Sequence, residues 1–202
     1  IPLFPLLPDY DLMDETEFTI KVHLKMLKRF SSENIIWLGF SGGGDVLLQA
    51  GRHIVRKYKE IPMPGMMIPV SASGLLVSDE AKARMKEIDP RDPILHADMF
   101  DTMIKYYNPD GTIPQYILGK ADEDDYTGFP KIVMYFAGDE VFAGIAPDYE
   151  KSFKRCGVKD YTIKIVDGVP HAWPVFTFLK EGRDGEKSII KDIVNCFSGT
   201  AA

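Results

Sequence analysis

A serine between glycines is the residue of this sequence best suited to act as a nucleophile. Ser41 is the central residue of the segment 39–43, Gly-Phe-Ser-Gly-Gly, which matches the G-x-S-x-G pattern. In that pattern the serine occupies a strained turn between a strand and a helix, and larger side chains at the glycine positions would collide with both elements. The chemistry such a serine performs is attack on a carbonyl carbon.

A nucleophilic serine also needs a base and a carboxylate. The base is almost always a histidine, which takes the hydroxyl proton, and the carboxylate holds the imidazole in the correct tautomer. Both follow Ser41 in the order serine, acid, histidine: Asp139 and Glu140 come first, and His171 comes later. The other three histidines are scattered without a partner at i+4 and are predicted to be surface or packing residues.

Apolar runs in the sequence predict the elements that must position these residues. The apolar segment 34–38 directly precedes the serine motif, and a helix-like segment 46–59 follows it. Segments 65–71, 131–137 and 161–166 are predicted as strands, and the candidate acid and base directly follow the last two. Because open α/β sheets place functional residues at the carboxyl ends of their strands, we expect the three side chains to meet at one sheet edge.

Four short motifs carry a resemblance to a known family. They are Pro-Asp-Tyr at 8–10, the serine motif, Gly-Asp-Glu-Val-Phe at 138–142 and Gly-Val-Pro-His at 168–171. Their order and spacing resemble the α/β-hydrolase esterases of the hormone-sensitive-lipase group over nearly the whole chain. The resemblance implies an α/β fold with a mostly parallel sheet and helices on both faces, and we expect residues 1–202 to form a single domain that is part of this fold.

The resemblance also implies roles for individual residues. Ser41 corresponds to the nucleophile, His171 to the base, and the backbone N–H of Gly42 to a donor of the oxyanion hole. Glu140 aligns with the catalytic carboxylate, whereas a shift of one residue would select Asp139. Either carboxylate can orient an imidazole, so both stay open at this point.

The chain departs from the family pattern at its start and around the serine. Phe40 replaces the acidic residue that usually precedes the nucleophile, and Gly42 replaces the usual alanine. The His-Gly-Gly-Gly loop that supplies most of the oxyanion hole does not occur in the sequence, which opens without Met in an apolar, Pro-rich run at 1–8. We therefore expect the N-terminal part of the fold to lie upstream, and that segment to be needed for activity.

The segment 72–128 is predicted to be a helical and loop region that shapes the substrate site. It contains a helix capped by Ser78 and a second helix over 97–107. Bulky side chains near the serine and the histidine favour small acyl groups. The candidate pocket residues are Phe40, Met99, Met103, Tyr106 and Trp173.

Composition agrees with one globular domain and argues against nucleic acid and a membrane-spanning segment. The 202 residues are 45% hydrophobic, and a net charge of −6 argues against nucleic acid. No apolar run approaches the roughly 18 residues of a membrane span, and we expect a cytoplasmic protein. The basic segment 52–59 is predicted to be a solvated helix face, and the acidic segment 122–125 a solvated loop. Cys156 and Cys196 have no metal-ligand spacing.

The best hypothesis is a serine hydrolase that cleaves esters of small acyl groups through an acyl-enzyme, with no cofactor or metal. A phosphate-binding loop is disfavoured because the motif lacks a Walker lysine and the G-x-G-x-x-G spacing, and because Asp45 would repel a phosphate. Three alternatives stay open: a non-catalytic binder of small molecules, an amidase or transacylase with the same triad, and an interaction role. A homodimer also stays open.

Overall fold

The computed structural model describes residue 5 and residues 9–198. Within this part of the chain, four parallel strands form a sheet in sequence order. The strands are β1 (Ile36–Phe40), β2 (Met66–Val70), β3 (Lys131–Ala137) and β4 (Tyr161–Val166). The predicted parallel α/β sheet is confirmed. Only residue 5 of the Pro-rich run at 1–8 is described. Pro8, the first residue of the Pro-Asp-Tyr motif, therefore lies outside the described residues.

Helices precede the first strand, connect the strands and follow the last one. They are α1 (Leu12–Leu27), α2 (Gly42–Lys57), α3 (Asp79–Ile88), α4 (Met99–Tyr107), α5 (Gln115–Leu118), α6 (Ala146–Arg155) and α7 (Lys180–Ser198). Ser78 caps α3 as predicted, because its hydroxyl accepts the N–H of Ala81. None of these helices in the described chain has both the length and the apolar character that a membrane crossing requires.

The sheet carries apolar side chains on both faces. Along β3, Ile132, Met134 and Phe136 join the larger apolar cluster, whereas the alternate residues join a second cluster on the opposite face. Helices α1, α2, α3 and α6 cover the first face, and α7 covers the second through Ile189. A strand buried on both faces is apolar at nearly every position, which is why the run 131–137 is continuous. Helices on both faces of the sheet are thereby confirmed.

The serine turn is shorter than the sequence pattern predicted. Strand β1 begins at Ile36 and ends at Phe40, and α2 begins at Gly42 instead of residue 46. Glycines are weak helix formers, so the pattern indicated a later start. The carbonyl of Ser41, however, accepts the N–H groups of Gly44 at 2.8 Å and Asp45 at 3.2 Å, and the helix starts directly after the serine.

Two charged segments predicted to be solvated meet in the interior. Nη1 of Arg52 lies 3.1 Å from Oδ2 of Asp124, and both side chains are buried. The Nε–H of Arg52 also donates to the carbonyl of Tyr116 at 2.7 Å. The prediction of solvent-exposed charge is therefore wrong for Arg52 and Asp124, which join α2 to the segment that precedes β3.

Candidate active site

Ser41 lies where β1 passes into α2. Its φ is 52° and its ψ −126°, in a region that residues other than glycine seldom occupy. Its N–H donates to the carbonyl of Val70 at 2.8 Å, at the end of β2. The strained turn thus holds the serine at the carboxyl edge of the sheet, where a nucleophile elbow presents its hydroxyl.

Two close approaches explain the glycines of this turn. A Cβ on Gly39 would lie 2.3 Å from the carbonyl oxygen of Gly43, and a Cβ on Gly44 would lie 3.0 Å from Cβ of Ala72. A Cβ on Gly43 would meet no atom within 4 Å. The predicted collision is therefore correct for Gly39 but wrong for Gly43, and the tightly packed glycine after the serine is Gly44.

His171 follows β4 and reaches the serine from the neighbouring loop. Its Nε2 lies 2.9 Å from Oγ of Ser41. The ring of Phe142 stands edge-on to the imidazole, with the centroids 5.2 Å apart, and His171 is buried. The distance fits a neutral imidazole that accepts the serine hydroxyl at Nε2 and carries its proton on Nδ1.

Glu140 lies on the opposite side of the imidazole ring. Its Oε2 is 2.6 Å from Nδ1 of His171, and its Oε1 accepts the N–H of Ala137 at 2.8 Å. The side chain is 0% exposed. The adjacent carboxylate of Asp139 faces Arg91, with 3.5 Å between Oδ1 and Nη1. Of the two acids left open by the sequence, the structure brings Glu140 to His171.

Polar side chains outside this trio hold the loops that carry it. Oδ2 of Asp92 accepts the N–H of Val141 at 2.8 Å, next to Glu140. The hydroxyl of Ser71 accepts the N–H of Ala172 at 3.0 Å, next to His171. Both acceptors are buried. Each loop is thereby tied to another segment of the chain within one residue of its candidate catalytic side chain.

The N-terminus of α2 supplies a candidate oxyanion donor. Gly42 is the first residue of this helix, and the first four N–H groups of a helix have no acceptor within it. The helix dipole also favours negative charge at this end. Gly42 lines the cavity beside Ser41, as an oxyanion donor must. The use of its N–H as an oxyanion donor stays a prediction.

A cavity of about 320 Å³ opens beside Ser41. Met99 and Met103 line it, as the sequence predicted, but Tyr106 is 59% exposed and the cavity is lined by Tyr107 instead. Successive residues of a helix point about 100° apart, so a shift of one residue changes which side chain faces inward. The other apolar lining residues are Leu12, Val46, Leu75, Leu95 and Phe142.

Phe40 and Trp173 do not line this cavity, which corrects their predicted role as pocket walls. Trp173 is 2% exposed and belongs to the apolar cluster beneath α7. Its Nε1 would lie only 2.6 Å from a Cβ on Gly185 of that helix. Phe40 packs against the same cluster, because it is on the face of β1 that points toward α7. Both residues therefore belong to the core of the second face.

Asp45 is a buried acid inside the cavity. Its Oδ1 accepts the N–H groups of Ser73 at 2.7 Å and Gly74 at 2.9 Å. Burial raises the pKa of Asp45 to about 6, although the two N–H groups and the charges of Arg52 and His171 act in the opposite direction. At neutral pH a negative charge therefore lies inside the candidate site.

Within the described residues, neither a larger cleft nor a group of metal ligands offers the chemistry of this cavity. A larger cleft of about 1080 Å³, between α2 and residues 114–128, is lined by residues of both charge signs, and Ser41, Glu140 and His171 do not border it. Among the described residues, no group of three His, Cys, Asp or Glu side chains is arranged to hold a metal ion. The cavity beside Ser41, in contrast, adjoins a hydrogen-bonded nucleophile and base.

Comparison with known proteins gives the family. The sequence profile described as alpha/beta hydrolase fold matches residues 12–175, which is most of the chain. The chain belongs to the alpha/beta hydrolase fold family. This agrees with the family that the sequence motifs indicated. A search of curated proteins gave no match to the chain.

Solved structures of esterases share the fold of this α/β-hydrolase. EstE5, soaked with p-nitrophenyl butyrate, has a TM-score of 0.82, 19% identity and 96% coverage of the chain. An esterase from the bacterial hormone-sensitive lipase family has a TM-score of 0.81, 22% identity and 94% coverage. The hormone-sensitive-lipase homologue EstE7, from a metagenome library, has a TM-score of 0.79, 18% identity and 96% coverage. The α/β-hydrolase chain spans 64%, 63% and 65% of these three structures, respectively.

Sequence reasoning missed several residues that position or line the site of this α/β-hydrolase. Asp45 was used only as an argument against phosphate, although a polar residue four positions after the nucleophile lies on the same side of the helix. Ser71 directly follows a predicted strand, which is a signal for a residue at the functional edge of the sheet. No sequence signal connects Asp92 to the acid loop, because that contact joins distant segments.

Proposed function

We propose that this α/β-hydrolase is a serine esterase that cleaves carboxylic esters of small acyl groups. The observation that carries the proposal is the continuous line of hydrogen bonds from Ser41 through His171 to Glu140, with distances of 2.9 and 2.6 Å. A serine hydroxyl is a weak nucleophile unless a base within hydrogen-bond reach takes its proton. The shared fold of several solved esterases supports the same class of reaction.

In the first half-reaction the ester acylates the serine. Oγ of Ser41 forms a bond to the carbonyl carbon while Nε2 of His171 takes the hydroxyl proton. Glu140 holds Nδ1–H and balances the charge of the imidazolium. The tetrahedral intermediate then breaks its bond to the alcohol oxygen, and His171 delivers the proton to the departing alcohol. The product of this step is an acyl ester of Ser41.

In the second half-reaction water removes the acyl group. His171 takes a proton from water as the water oxygen attacks the acyl carbon. The bond to Oγ of Ser41 breaks, the proton returns to Oγ, and the carboxylic acid leaves. Both half-reactions use only side chains, backbone N–H groups and water.

The developing oxyanion needs backbone donors. The N–H of Gly42 is one of them in this proposal, because it belongs to the first turn of α2 beside Ser41. Loss of one oxyanion donor typically reduces the rate by about 10²- to 10³-fold. Since the chain spans about 64% of a solved esterase that it resembles, we propose that a second donor comes from the remaining part of that fold.

The preference for small acyl groups rests on the size of the cavity. Its volume of about 320 Å³ is at the lower end of the range for small-molecule sites, roughly 300 to 1,000 Å³. Met99, Met103 and Phe142 form part of the apolar lining. A short acyl chain fits this space and finds apolar contacts there, whereas a long chain exceeds it.

Hydrolysis of p-nitrophenyl butyrate by the chain joined to the upstream part of the fold, and by the Ser41→Ala variant of that longer protein, tests the proposal. We expect turnover in the unaltered longer protein, a fall to the buffer rate in Ser41→Ala, and no change in Ser31→Ala, which removes an exposed hydroxyl outside the cavity. Covalent labelling by a fluorophosphonate measures activation of the serine even where turnover is slow. Absence of both turnover and labelling would contradict an esterase and favour a binding protein.

A further inference from the structure

The cavity beside Ser41 carries charge of one sign. Among the described residues that line it, the two charged ones are Asp45 and Glu15, and both are acids. The described lining includes no lysine, arginine or histidine. Two aromatic rings, Tyr107 and Phe142, form part of the remaining wall. A molecule that enters therefore meets negative charge against an otherwise neutral surface.

Asp45 has a free acceptor in this cavity. Both of its hydrogen bonds, from Ser73 and Gly74, reach Oδ1, and Oδ2 accepts none from any described residue. The side chain is only 8% exposed and forms no ion pair within the described chain. Burial makes the ionised carboxylate costly, the two backbone hydrogen bonds and the charges of Arg52 and His171 offset only part of that cost, and a bound cation would offset more of it.

The position of Asp45 brings its charge close to the reacting atoms. Its N–H donates to the carbonyl of Ser41 at 3.2 Å, so one turn of α2 separates the two residues and their side chains share a face. A negative charge here opposes the negative oxygen that develops when Ser41 attacks an ester. A cationic substrate would neutralise the carboxylate before that oxygen forms.

Glu15 brings a second carboxylate to the same space from α1. Burial, followed by the charges of Glu15 and Asp45, raises the pKa of the Tyr107 hydroxyl. One tyrosine therefore responds to both acids, which are on different helices. The pairing of carboxylates with aromatic rings is an arrangement that attracts ammonium groups.

We propose that the cavity selects esters that carry an ammonium group, which the carboxylates of Asp45 and Glu15 bind beside Tyr107 and Phe142. The inference rests on the proposed esterase function and names its substrate class. Quaternary ammonium and protonated amines share the required chemistry, a positive charge on a carbon-rich group. Anionic esters are excluded, because both carboxylates repel them.

Two pairs of isosteric esters test the charge preference in each half of the substrate. In the alcohol half, butyrylcholine carries a positively charged trimethylammonium group where 3,3-dimethylbutyl butyrate carries a neutral tert-butyl group. The p-nitrophenyl esters of 4-(trimethylammonio)butyrate and 5,5-dimethylhexanoate differ in the same way in the acyl half. At pH 8, above the pKa of Asp45 of about 6, we expect kcat/KM to be about tenfold or more higher for the cation in at least one pair.

Charge-neutral variants identify the residues responsible. In Asp45→Asn the amide oxygen retains both backbone hydrogen bonds, and we expect the cation preference to fall to about threefold or less. Glu15→Gln is expected to lower it by a smaller factor. Asp139→Asn removes the same charge from a residue that faces Arg91 and does not line the cavity, and it is expected to retain the preference.

Binding measurements separate this proposal from the esterase function. Calorimetry with the Ser41→Ala chain compares the affinities of the paired esters without turnover. Tighter binding of the cation that Asp45→Asn abolishes supports the proposal even if no ester is hydrolysed, in which case only the esterase function fails. Equal or tighter binding of the neutral isostere in both pairs overturns the proposal, whether or not the chain hydrolyses esters.

Discussion

The hydroxyl oxygen of Ser71 accepts the backbone N–H of Ala172 at 3.0 Å, and both residues have positive φ angles of 54° and 52°. With Ser41, they are the non-glycine residues of positive φ in the described chain. Ala172 directly follows His171, so this bond connects the end of β2 to the loop that carries the imidazole. Strained backbone of this kind typically concentrates at functional sites.

Loss of the Ser71 hydroxyl is expected to slow the chemical step. Ser71→Ala leaves the N–H of Ala172 buried without an acceptor, which costs about 1–3 kcal/mol and lets the His171 loop move. We expect kcat for p-nitrophenyl butyrate to fall by about tenfold with KM nearly unchanged, measured well below the melting temperature. Ser73→Ala is the matched control, because its hydroxyl donates only to the carbonyl of Gly74. Equal kcat values in the two variants would refute a positioning role for Ser71.

The acid that orients His171 can be identified by substitution. Glu140→Gln retains the shape of the side chain but removes the charge that stabilises the imidazolium, so we expect kcat to fall by about 10²- to 10⁴-fold. Asp139→Asn is expected to change kcat by less than about threefold, since this carboxylate faces Arg91. Steady-state measurement of kcat for the two variants shows which carboxylate orients His171. A larger loss in Asp139→Asn would contradict the assignment of Glu140.

Neutralising Asp45 is expected to stabilise the fold at high pH. The pKa of Asp45 is about 6 in the fold against an ordinary value of 3.8, so the folded chain binds this proton more tightly than the unfolded chain. The stabilisation from protonated Asp45 is complete below pH 3.8 and is lost as the pH rises through about 6. At most it amounts to about 3 kcal/mol.

Melting temperatures at several pH values measure this effect. We expect Asp45→Asn to melt at a higher temperature than the unaltered chain at pH 8, and the difference to vanish near pH 4. Asp184→Asn, which changes an exposed carboxylate of α7, is expected to show no gain at pH 8. A pH-independent difference for Asp45→Asn would show that ionisation of this carboxylate does not affect stability.

The glycines of the serine turn are expected to tolerate alanine unequally. Gly39→Ala brings a Cβ to within 2.3 Å of the backbone oxygen of Gly43, so the turn must shift. We expect a loss of about 2–4 kcal/mol in the free energy of unfolding, together with loss of activity. Gly43→Ala meets open space and is expected to change stability by less than about 1 kcal/mol. Urea unfolding compares the two, and equal destabilisation would mean that the close approach does not constrain the turn.

Local signals in the sequence were sufficient for the framework of the fold. The runs 131–137 and 161–166 became β3 and β4 with the predicted bounds, because continuous or alternating apolar residues have few alternatives to a strand. Ser78 capped its helix as predicted, since a cap depends only on residues within one turn. Ser41 and His171 were named from motifs that follow such strands, and parallel strands bring their carboxyl ends to one edge.

Contacts between distant segments decided the rest. The choice of Glu140 over Asp139 depends on which of two adjacent side chains turns toward His171, and local pattern does not specify that direction. Trp173 was assigned to the cavity by its nearness to the histidine in sequence, but packing against α7 buries it in the core.

The lining of the cavity and the burial of charged side chains were also decided by contacts between distant segments. Arg52 and Asp124 carry charges that sequence alone places in solvent, and they are buried because each supplies the other's counter-charge across the fold. Asp45 and Glu15 face one cavity because α1 and α2 pack side by side. The sequence by itself determined the order of strands, helices and chemical groups in this protein. Tertiary packing determined which of those groups touch, because a side chain's partner depends on segments that are close in space and distant along the chain.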